Sequence, residues 1–444
     1  MPRHLTKLSA PILALSVLSA VQAYAKTVSD PPTKSSNKSL AHRALASDKV
    51  ESEKAITELR SMGSEGLRAF LETNRAEIDS AAAVPGNAGN RVLEVLDSLC
   101  QQKDCYASRL YWYTDLEQAK NAARSQHKPI LSLRLLGRLD EDLSCANSRL
   151  FRITLYANEQ VSNLLREQFV LHWQSVRSVP KVTIDFGDGR RMERTLTGNS
   201  VHYVLDSEGR FIDALPGLYG PGAFVRELNR LLPVASFLEM LGTDQGRSAA
   251  LRQYHEARLN ETESSWANDI KRAGLLTAPS RDIPIPPKPG SIPPSAQRAA
   301  PVAVAKALSI ERPVLKGMSD NPKLLDSIAS DAGWATIARM HFPDTNLDQS
   351  TKALMSFKDP GLSGGNLDAA TLALRQAIAE DTVRNEYVYR ARIHSWLATG
   401  SVSSDLGSLT EKIYSELFLT PSWDAWLGLR PSGAYSGIDR DGLK

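Results

Sequence analysis

The residue with the clearest capacity for chemistry is Cys145, in the tetrapeptide Cys145-Ala146-Asn147-Ser148. In a dithiol site a second cysteine, two residues further on, resolves the mixed disulfide that the first thiolate forms. Ser148 occupies that second position and cannot perform the resolving step. An amphipathic helical stretch follows, and a helix N-terminus favours the thiolate form of a cysteine. The pattern therefore allows monothiol exchange, and burial of Cys145 as a small core residue is the alternative.

Four strand-like runs and a closing helix surround this tetrapeptide. The runs are short and apolar, and several are bounded by turn residues, as expected of buried strands. They cover residues 128–136, 169–173, 200–205 and 211–215. The helix begins at Pro221, since proline is favoured in the first turn, and is expected to end near Leu232.

This succession resembles the thioredoxin fold, in the branch whose C-x-x-C motif follows a lysine-proline strand. The Lys-Pro pair at 128–129 starts the first strand, and residues 158–170 continue the match as a helix ending in a Phe-Val strand. Cys145 falls at the first cysteine position, Ser148 at the second, and Ser200 replaces the cis-proline of the family. The resemblance implies an α/β protein, with a thioredoxin-like central domain flanked by mostly helical N- and C-terminal regions.

The resemblance also places Ser200 beside Cys145. Side chains alternate along a strand, so His202 is expected on the same face as Ser200. A base close to a cysteine activates it for nucleophilic catalysis. Cys145, Ser148 and His202 are therefore the candidate catalytic residues. The alternative for His202 is a hydrogen-bonded core histidine, because spacing identifies no third group that would orient it.

The first 25 residues have the pattern of a secretory signal peptide. Arg3 and Lys7 precede the apolar run 8–21, and Ala23-Tyr24-Ala25 is a small-x-small cleavage motif. The run is too short for a convincing membrane span, so an uncleaved anchor is the weaker interpretation. We expect cleavage after Ala25, a periplasmic or secreted location, and no stable membrane span in the mature chain.

Export would place the three cysteines in an oxidising compartment. Cys100 and Cys105 lie five residues apart at the end of a helical stretch and are the expected disulfide pair. Cys145 is then the odd thiol, a pattern typical of a reactive group or an intermolecular bond. Pairing of Cys145 with either of the others is the alternative.

Composition divides the 444 residues into several parts, because the chain is too long for one ordinary domain. A polar segment predicts a disordered leader, helical spacing predicts helical regions, and a proline cluster predicts a semi-rigid linker between folded units. The predicted parts are a signal peptide (1–25), leader (26–39), helical N-terminal region (40–105), thioredoxin-like domain (106–232), helical extension (233–276), Pro-rich linker (277–303) and helical C-terminal domain (304–444).

One further group of residues stands on the long helix predicted at 367–398. Glu386, Arg390 and His394 are four residues apart and therefore share a helix face. They either line a binding cleft or form an ion-paired face exposed to solvent.

Two functions are consistent with these patterns. The first is an exported thiol-disulfide oxidoreductase, isomerase or thiol sensor that acts through Cys145. The second is a non-catalytic protein-interaction module built on a degenerate thioredoxin fold. Other exported proteins are the expected partners, reached through the thiol or through surface contacts. We expect no cofactor and no metal, since the usual motifs are missing from the sequence. The near-neutral charge of +3 indicates no preference for nucleic acid, and the sequence defines neither substrate nor oligomeric state.

Overall fold

The computed structural model describes residues 34–87, 89–241, 243–283, 332–427 and 437–439. The chain divides into two compact units, Met1–Arg75 and Ala76–Lys444. The predicted signal peptide at 1–25 lies outside the described residues, as do residues 26–33 of the predicted leader and 284–303 of the predicted linker.

The first unit consists of three helices in the part that is described. They are Lys34–Arg43 (α1), Lys49–Ser61 (α2) and Ser64–Thr73 (α3). The side chain of Asp48 caps α2 by accepting a hydrogen bond from the backbone N–H of Glu51 at 3.0 Å. Helix α1 begins inside the range predicted as a disordered leader. It is ordered because Ala41 and Ala44 are buried where α1 packs on α2 and α3.

The second unit opens with three helices and a disulfide. The helices are Arg75–Ala82 (α4), which starts at the unit boundary, Arg91–Cys100 (α5) and Cys105–Ser108 (α6). Cys100 and Cys105 are bonded, with their Cα atoms 6.2 Å apart, which confirms the predicted pair. Cys145 is the free cysteine.

A five-stranded mixed sheet forms the centre of this unit, with the order β1-β3-β2-β6-β7. Strands β1, β3 and β2 run parallel, whereas β6 and β7 join by antiparallel pairing. All seven residues of β2 are buried, so both faces of the sheet are covered. The strands are Trp112–Tyr113 (β1), Ile130–Leu136 (β2), Val170–Arg177 (β3), Lys181–Asp185 (β4), Arg191–Thr195 (β5), Val201–Leu205 (β6) and Phe211–Pro216 (β7). Among the described strands, β4 and β5 pair only with each other and form a hairpin.

Helices connect and cover these strands. They are Leu116–Gln126 (α7), Ala146–Leu150 (α8) with a continuing π-helical turn Phe151–Tyr156, Glu159–Gln168 (α9), Pro221–Met240 (α10) and Asp244–Arg272 (α11). Asp115 caps α7 by accepting from the N–H of Gln118 at 2.8 Å. Helix α10 continues through Pro233 instead of ending near residue 232. Burial of Leu231, Ala235 and Leu238 on its inner face offsets the hydrogen bond that proline removes.

The C-terminal helices pack into the same core as the sheet. They are Ala332–Met340 (α12), a 3₁₀ turn Phe342–Thr345, Gln349–Lys358 (α13), Gly364–Arg384 (α14), a π-helical turn Asn385–Arg390, Ala391–Ala398 (α15), Leu406–Lys412 (α16) and a π-helical turn Ile413–Leu417. The described residues from 332 to 427 therefore belong to the second unit, whereas the sequence predicts a separate C-terminal domain. A proline-rich connector marks a break in composition but does not show which surfaces meet beyond it.

The class is mixed α/β, as predicted. Helices precede and follow the strands of a small mixed sheet along the chain. Within the described ranges, none of the helices is both long enough and apolar enough to cross a membrane.

Candidate functional site

Cys145 lies between the end of β2 and the start of α8. Its backbone N–H donates to the carbonyl of Leu136 at 3.1 Å. Its Sγ lies 3.1 Å from Ser200 Oγ and 3.5 Å from Ser148 Oγ. The structure therefore brings together Cys145, Ser148 and Ser200, three of the residues singled out in the sequence.

The thiol is closed off from solvent. Cys145, Ser148 and Ser200 are each 0% exposed. Gly198 passes so close that a Cβ there would lie 3.4 Å from the Cβ of Cys145, and its φ of +79° suits glycine. The next residue, Asn199, accepts one hydrogen bond from the Tyr414 hydroxyl at 3.1 Å and another from the Asn147 amide at 3.0 Å. A loop held by a C-terminal helix thus covers the sulfur.

His202 does not lie against this thiol. Its Nε2 is 2.7 Å from the Tyr156 hydroxyl, and its Nδ1 has no hydrogen-bond partner among the described residues. Its ring packs on Phe151 and Phe224. Burial lowers the pKa of His202 to about 3, so the imidazole is neutral. The predicted role as a base for Cys145 therefore has no contact to support it.

A second group of polar side chains lies around Arg390, which is fully buried. Its guanidinium donates to Asp213 Oδ2 at 2.7 Å, to Glu227 Oε2 at 2.6 Å and to Glu386 Oε2 at 3.1 Å. Arg258 also donates to Glu227 Oε2, at 3.0 Å, and to Glu386 Oε1, at 3.3 Å. We call these five residues the Arg390 cluster. The sequence offers two interpretations of the helix face formed by Glu386, Arg390 and His394. The interpretation as a face exposed to solvent is wrong for Arg390 and His394, which are both buried.

A cleft opens beside the Arg390 cluster, between α10, α11 and α14. Its volume is about 150 Å³. Three members of the cluster, Glu227, Arg258 and Glu386, contribute to its wall. The remaining polar lining includes Tyr219, Arg226, Arg230, Glu261, His341 and Tyr387. Glu386 therefore lines a cleft, as the first interpretation of the helix face predicts.

Two histidines face each other on the inner side of the cluster. His255 Nδ1 and His394 Nδ1 are 2.9 Å apart, and both side chains are fully buried. One ligand atom of each histidine and one oxygen of Asp213 lie within 4.8 Å of one another. A hydroxyl from Tyr254 also donates to Asp213 Oδ2, at 2.6 Å. Among the described residues, this group is the one arrangement of three His, Cys, Asp or Glu side chains that could hold a metal ion.

Charge and burial fix the protonation of this group. Burial lowers the pKa of His255 to about 4 and lowers that of His394 well below its ordinary value. Burial alone would raise the pKa of Asp213, but Arg390, the two histidines and the hydrogen bond from Tyr254 together outweigh it, and the pKa is lowered. At neutral pH the group therefore consists of two neutral imidazoles and one carboxylate.

Most of these residues are missed by sequence reasoning. Asp213 does carry a signal, since it is an acidic residue inside the apolar run Phe-Ile-Asp-Ala-Leu and must be paired when that strand is buried. Glu227, His255 and Arg258 carry none, because charged residues at helical spacing are ordinary on helix surfaces.

Comparisons with protein-family models, with curated proteins and with solved structures found no match to this chain.

Replacing His202 with glutamine should weaken the pH dependence of stability below neutrality. An unfolded histidine binds a proton near pH 6.5, whereas burial delays protonation of His202 in the folded chain to about pH 3. The contribution of neutral His202 to the free energy of unfolding is therefore fully present above pH ~6.5. It is lost as the pH falls towards about 3, by up to about 1.4 kcal/mol per pH unit. Urea unfolding of both proteins at several pH values measures this slope. His172 has a similarly lowered pKa of about 3, so part of the slope should remain in the variant. An unchanged slope would contradict the conclusion that His202 is buried and neutral in the folded chain.

Replacing Arg390 with methionine should lower the free energy of unfolding by about 3–5 kcal/mol, because the buried carboxylates lose their central cation. Arg124→Met is the matched control. It removes a half-exposed arginine that pairs with Glu208 at 2.8 Å, and should cost less than about 1 kcal/mol. Denaturant unfolding at neutral pH compares the two variants. Equal losses would show that the buried pairs are no more important to stability than the surface pair.

Proposed function

We propose that this chain is an exported protein with a thioredoxin-like domain that no longer catalyses thiol exchange and instead acts as a protein-interaction module. The order of elements supports the thioredoxin-like assignment. Strand β2, the Cys145 tetrapeptide, α8, α9 and β3 come first, and β6, β7 and α10 follow. This is the succession that the resemblance implies, with the β4–β5 hairpin inserted after β3.

The observation that carries the loss of catalysis is the burial of Cys145. Thiol-disulfide exchange requires a thiolate that can approach the sulfur of a substrate disulfide. Cys145 Sγ is enclosed by Ser148, Ser200 and the loop at Asn199, and it has no exposed surface. Ser148 also supplies no second thiol for resolving a mixed disulfide. Both requirements of a dithiol cycle are therefore unmet.

One observation favours the second candidate, monothiol exchange. The Ser200 hydroxyl lies 3.1 Å from the sulfur and, as a donor, would stabilise a thiolate there, whereas Ser148 Oγ accepts from the thiol. This function requires the loop at Asn199 to leave the thiol, which breaks the hydrogen bond from Tyr414. Accessibility of Cys145 in the folded chain therefore separates the two candidates.

The β4–β5 hairpin is the surface on which we place the partner. Ile184 is 37% exposed and Phe186 is 53% exposed, and Ile184 pairs with Met192 across the hairpin. A two-stranded hairpin is marginal in water by itself, and clustered exposed apolar side chains mark contact surfaces. Its base is anchored, because Thr195 Oγ1 donates to the carbonyl of Ser144 at 3.0 Å. The hairpin thus presents free strand edges and apolar side chains from a fixed base, as strand-addition recognition requires.

Cys145 should resist alkylation in the folded protein. The disulfide occupies the other two cysteines, so mature protein without reductant should label once per chain after denaturation and hardly at all before it. The measurement is the rate of labelling by a small alkylating reagent, followed by mass spectrometry. Tyr414→Phe, which removes only the hydroxyl bonded to Asn199, tests the cover and should label faster. Rapid labelling of the folded wild type would instead support monothiol exchange.

Substituting both Ile184 and Phe186 with serine should reduce partner binding at least about tenfold. The free energy of unfolding should change by less than about 0.5 kcal/mol, since both side chains are exposed. The measurement is quantitative mass spectrometry of proteins crosslinked to purified wild type and variant in an extract of exported proteins. Thr183→Ser, an exposed position on the same strand, is the matched control and should bind like the wild type. If the crosslinked proteins are the same for all three, the hairpin is not the contact surface. If they are lost in Cys145→Ala instead, the thiol carries the interaction.

A further inference from the structure

We propose that Asp213, His255 and His394 form a binding site for a divalent transition-metal ion of the Zn²⁺ type. The three residues come from β7, α11 and α15, so an ion there would join the sheet to two helices that are distant in sequence. This site is independent of the proposed function at Cys145 and the hairpin.

The distances suit a shared ion. Nitrogen ligands lie about 2.0–2.1 Å from Zn²⁺, so two imidazole nitrogens on one ion are separated by roughly 3 Å or slightly more. His255 Nδ1 and His394 Nδ1 are already 2.9 Å apart, and one nitrogen of each ring and one Asp213 oxygen lie within 4.8 Å of one another. Small rotations of the side chains are therefore sufficient to place all three ligand atoms around one ion.

The hydrogen bonding of His394 also supports an ion between the two imidazole rings. Its side chain is 0% exposed, and its Nε2 has no hydrogen-bond partner within the described residues. The Nδ1 atom, directed at His255, makes the only hydrogen bond that the structure assigns to this imidazole among those residues. A shared proton or a shared metal ion would both satisfy two facing nitrogens, and the nearby carboxylate favours the cation.

Asp213 can take part without giving up Arg390. A carboxylate offers about four lone-pair sites. Its Oδ2 accepts from Arg390 and Tyr254, and its Oδ1 accepts from the backbone N–H of Ala214 at 2.7 Å, which leaves one lone pair on Oδ1 for an ion. The Arg390 cluster itself has three carboxylates against two guanidinium groups, so its charge is negative by one and favours a cation.

The donor types select the class of ion. Imidazole nitrogen suits Zn²⁺, Co²⁺, Ni²⁺ and Cu²⁺, whereas Mg²⁺ and Ca²⁺ take mainly oxygen ligands. Three protein ligands leave a fourth position of a tetrahedral ion open. The proposed site adjoins the Arg390 cluster through Asp213, and two other members of that cluster, Glu227 and Glu386, line the cleft.

The test is metal binding by the mature, tag-free chain after dialysis against a chelator. Calorimetric titration with Zn²⁺ should give one equivalent per chain, and His394→Gln should bind at least about 100-fold more weakly. His172→Gln is the matched control. It changes a buried histidine outside the group, whose Nδ1 lies 2.8 Å from Ser132 Oγ, and it should bind like the wild type. Circular dichroism of all three proteins verifies that each is folded.

A second readout covers the case in which His394→Gln does not fold. Co²⁺ bound to the wild type should give the visible absorption of a tetrahedral ion with nitrogen and oxygen ligands, without the near-ultraviolet band of a cobalt-thiolate bond. A thiolate band would place the ion at Cys145 and overturn the proposal. It would equally fail if the wild type binds no Zn²⁺, or if a folded His394→Gln binds as tightly as the wild type; in either case the two histidines share only a proton.

Discussion

The buried carboxylate of Asp213 is the constraint on which the second unit depends. An ionised side chain in the middle of a buried strand is very costly unless a partner neutralises it. The partner is Arg390, which lies at the junction between the long C-terminal helix and α15 and is itself fully buried. Arg390 also bonds Glu227 of α10 and Glu386 of its own π-helical turn, which continues α14. Neutralising Asp213 therefore fixes β7, α10 and α14 in one relative position. Such pairing contributes little net stability by comparison with an apolar core, but it tolerates few alternative packings.

The same C-terminal helices determine what the Cys145 region can do. Tyr414, in the π-helical turn that follows α16, donates to the loop that covers the sulfur, and Arg177 of β3 donates to the carbonyl of Thr420 at 2.8 Å. The helices that neutralise Asp213 are therefore continuous in sequence with the segment that closes the thiol. A tetrapeptide which resembles a redox motif is in this way converted into part of an enclosed core. The cleft and the β4–β5 hairpin remain open at the surface of this unit.

Local features of the fold could be predicted from the sequence, whereas long-range ones could not. The cap at Asp115, the start of α10 at Pro221, the hairpin around Gly187-Asp188-Gly189 and the Cys100–Cys105 bond all depend on residues close together in the chain. His202 could be recognised as a candidate within its strand, but its bond to Tyr156 and its packing on Phe151 and Phe224 depend on residues from other elements. The histidine pair could not be predicted, since His255 and His394 are 139 residues apart and neither lies in a recognisable motif. Glu386, Arg390 and His394 could be recognised as a face, but their burial depends on surfaces contributed by β7, α10 and α11.

The distance between Asp213 and Arg390 along the chain, 177 residues, has a consequence for the order in which the protein folds. The ribosome completes all five sheet strands long before it adds the guanidinium that neutralises the centre of β7. Until then the edge of the sheet carries a carboxyl group that must stay hydrated or protonated, so the strand cannot be sealed against helices on that side. Closure of the sheet therefore follows docking of the C-terminal helix, and the contacts involved have high sequence separation, which is typical of slow folding. A chain that assembles in this order remains loosely packed until its last part is present.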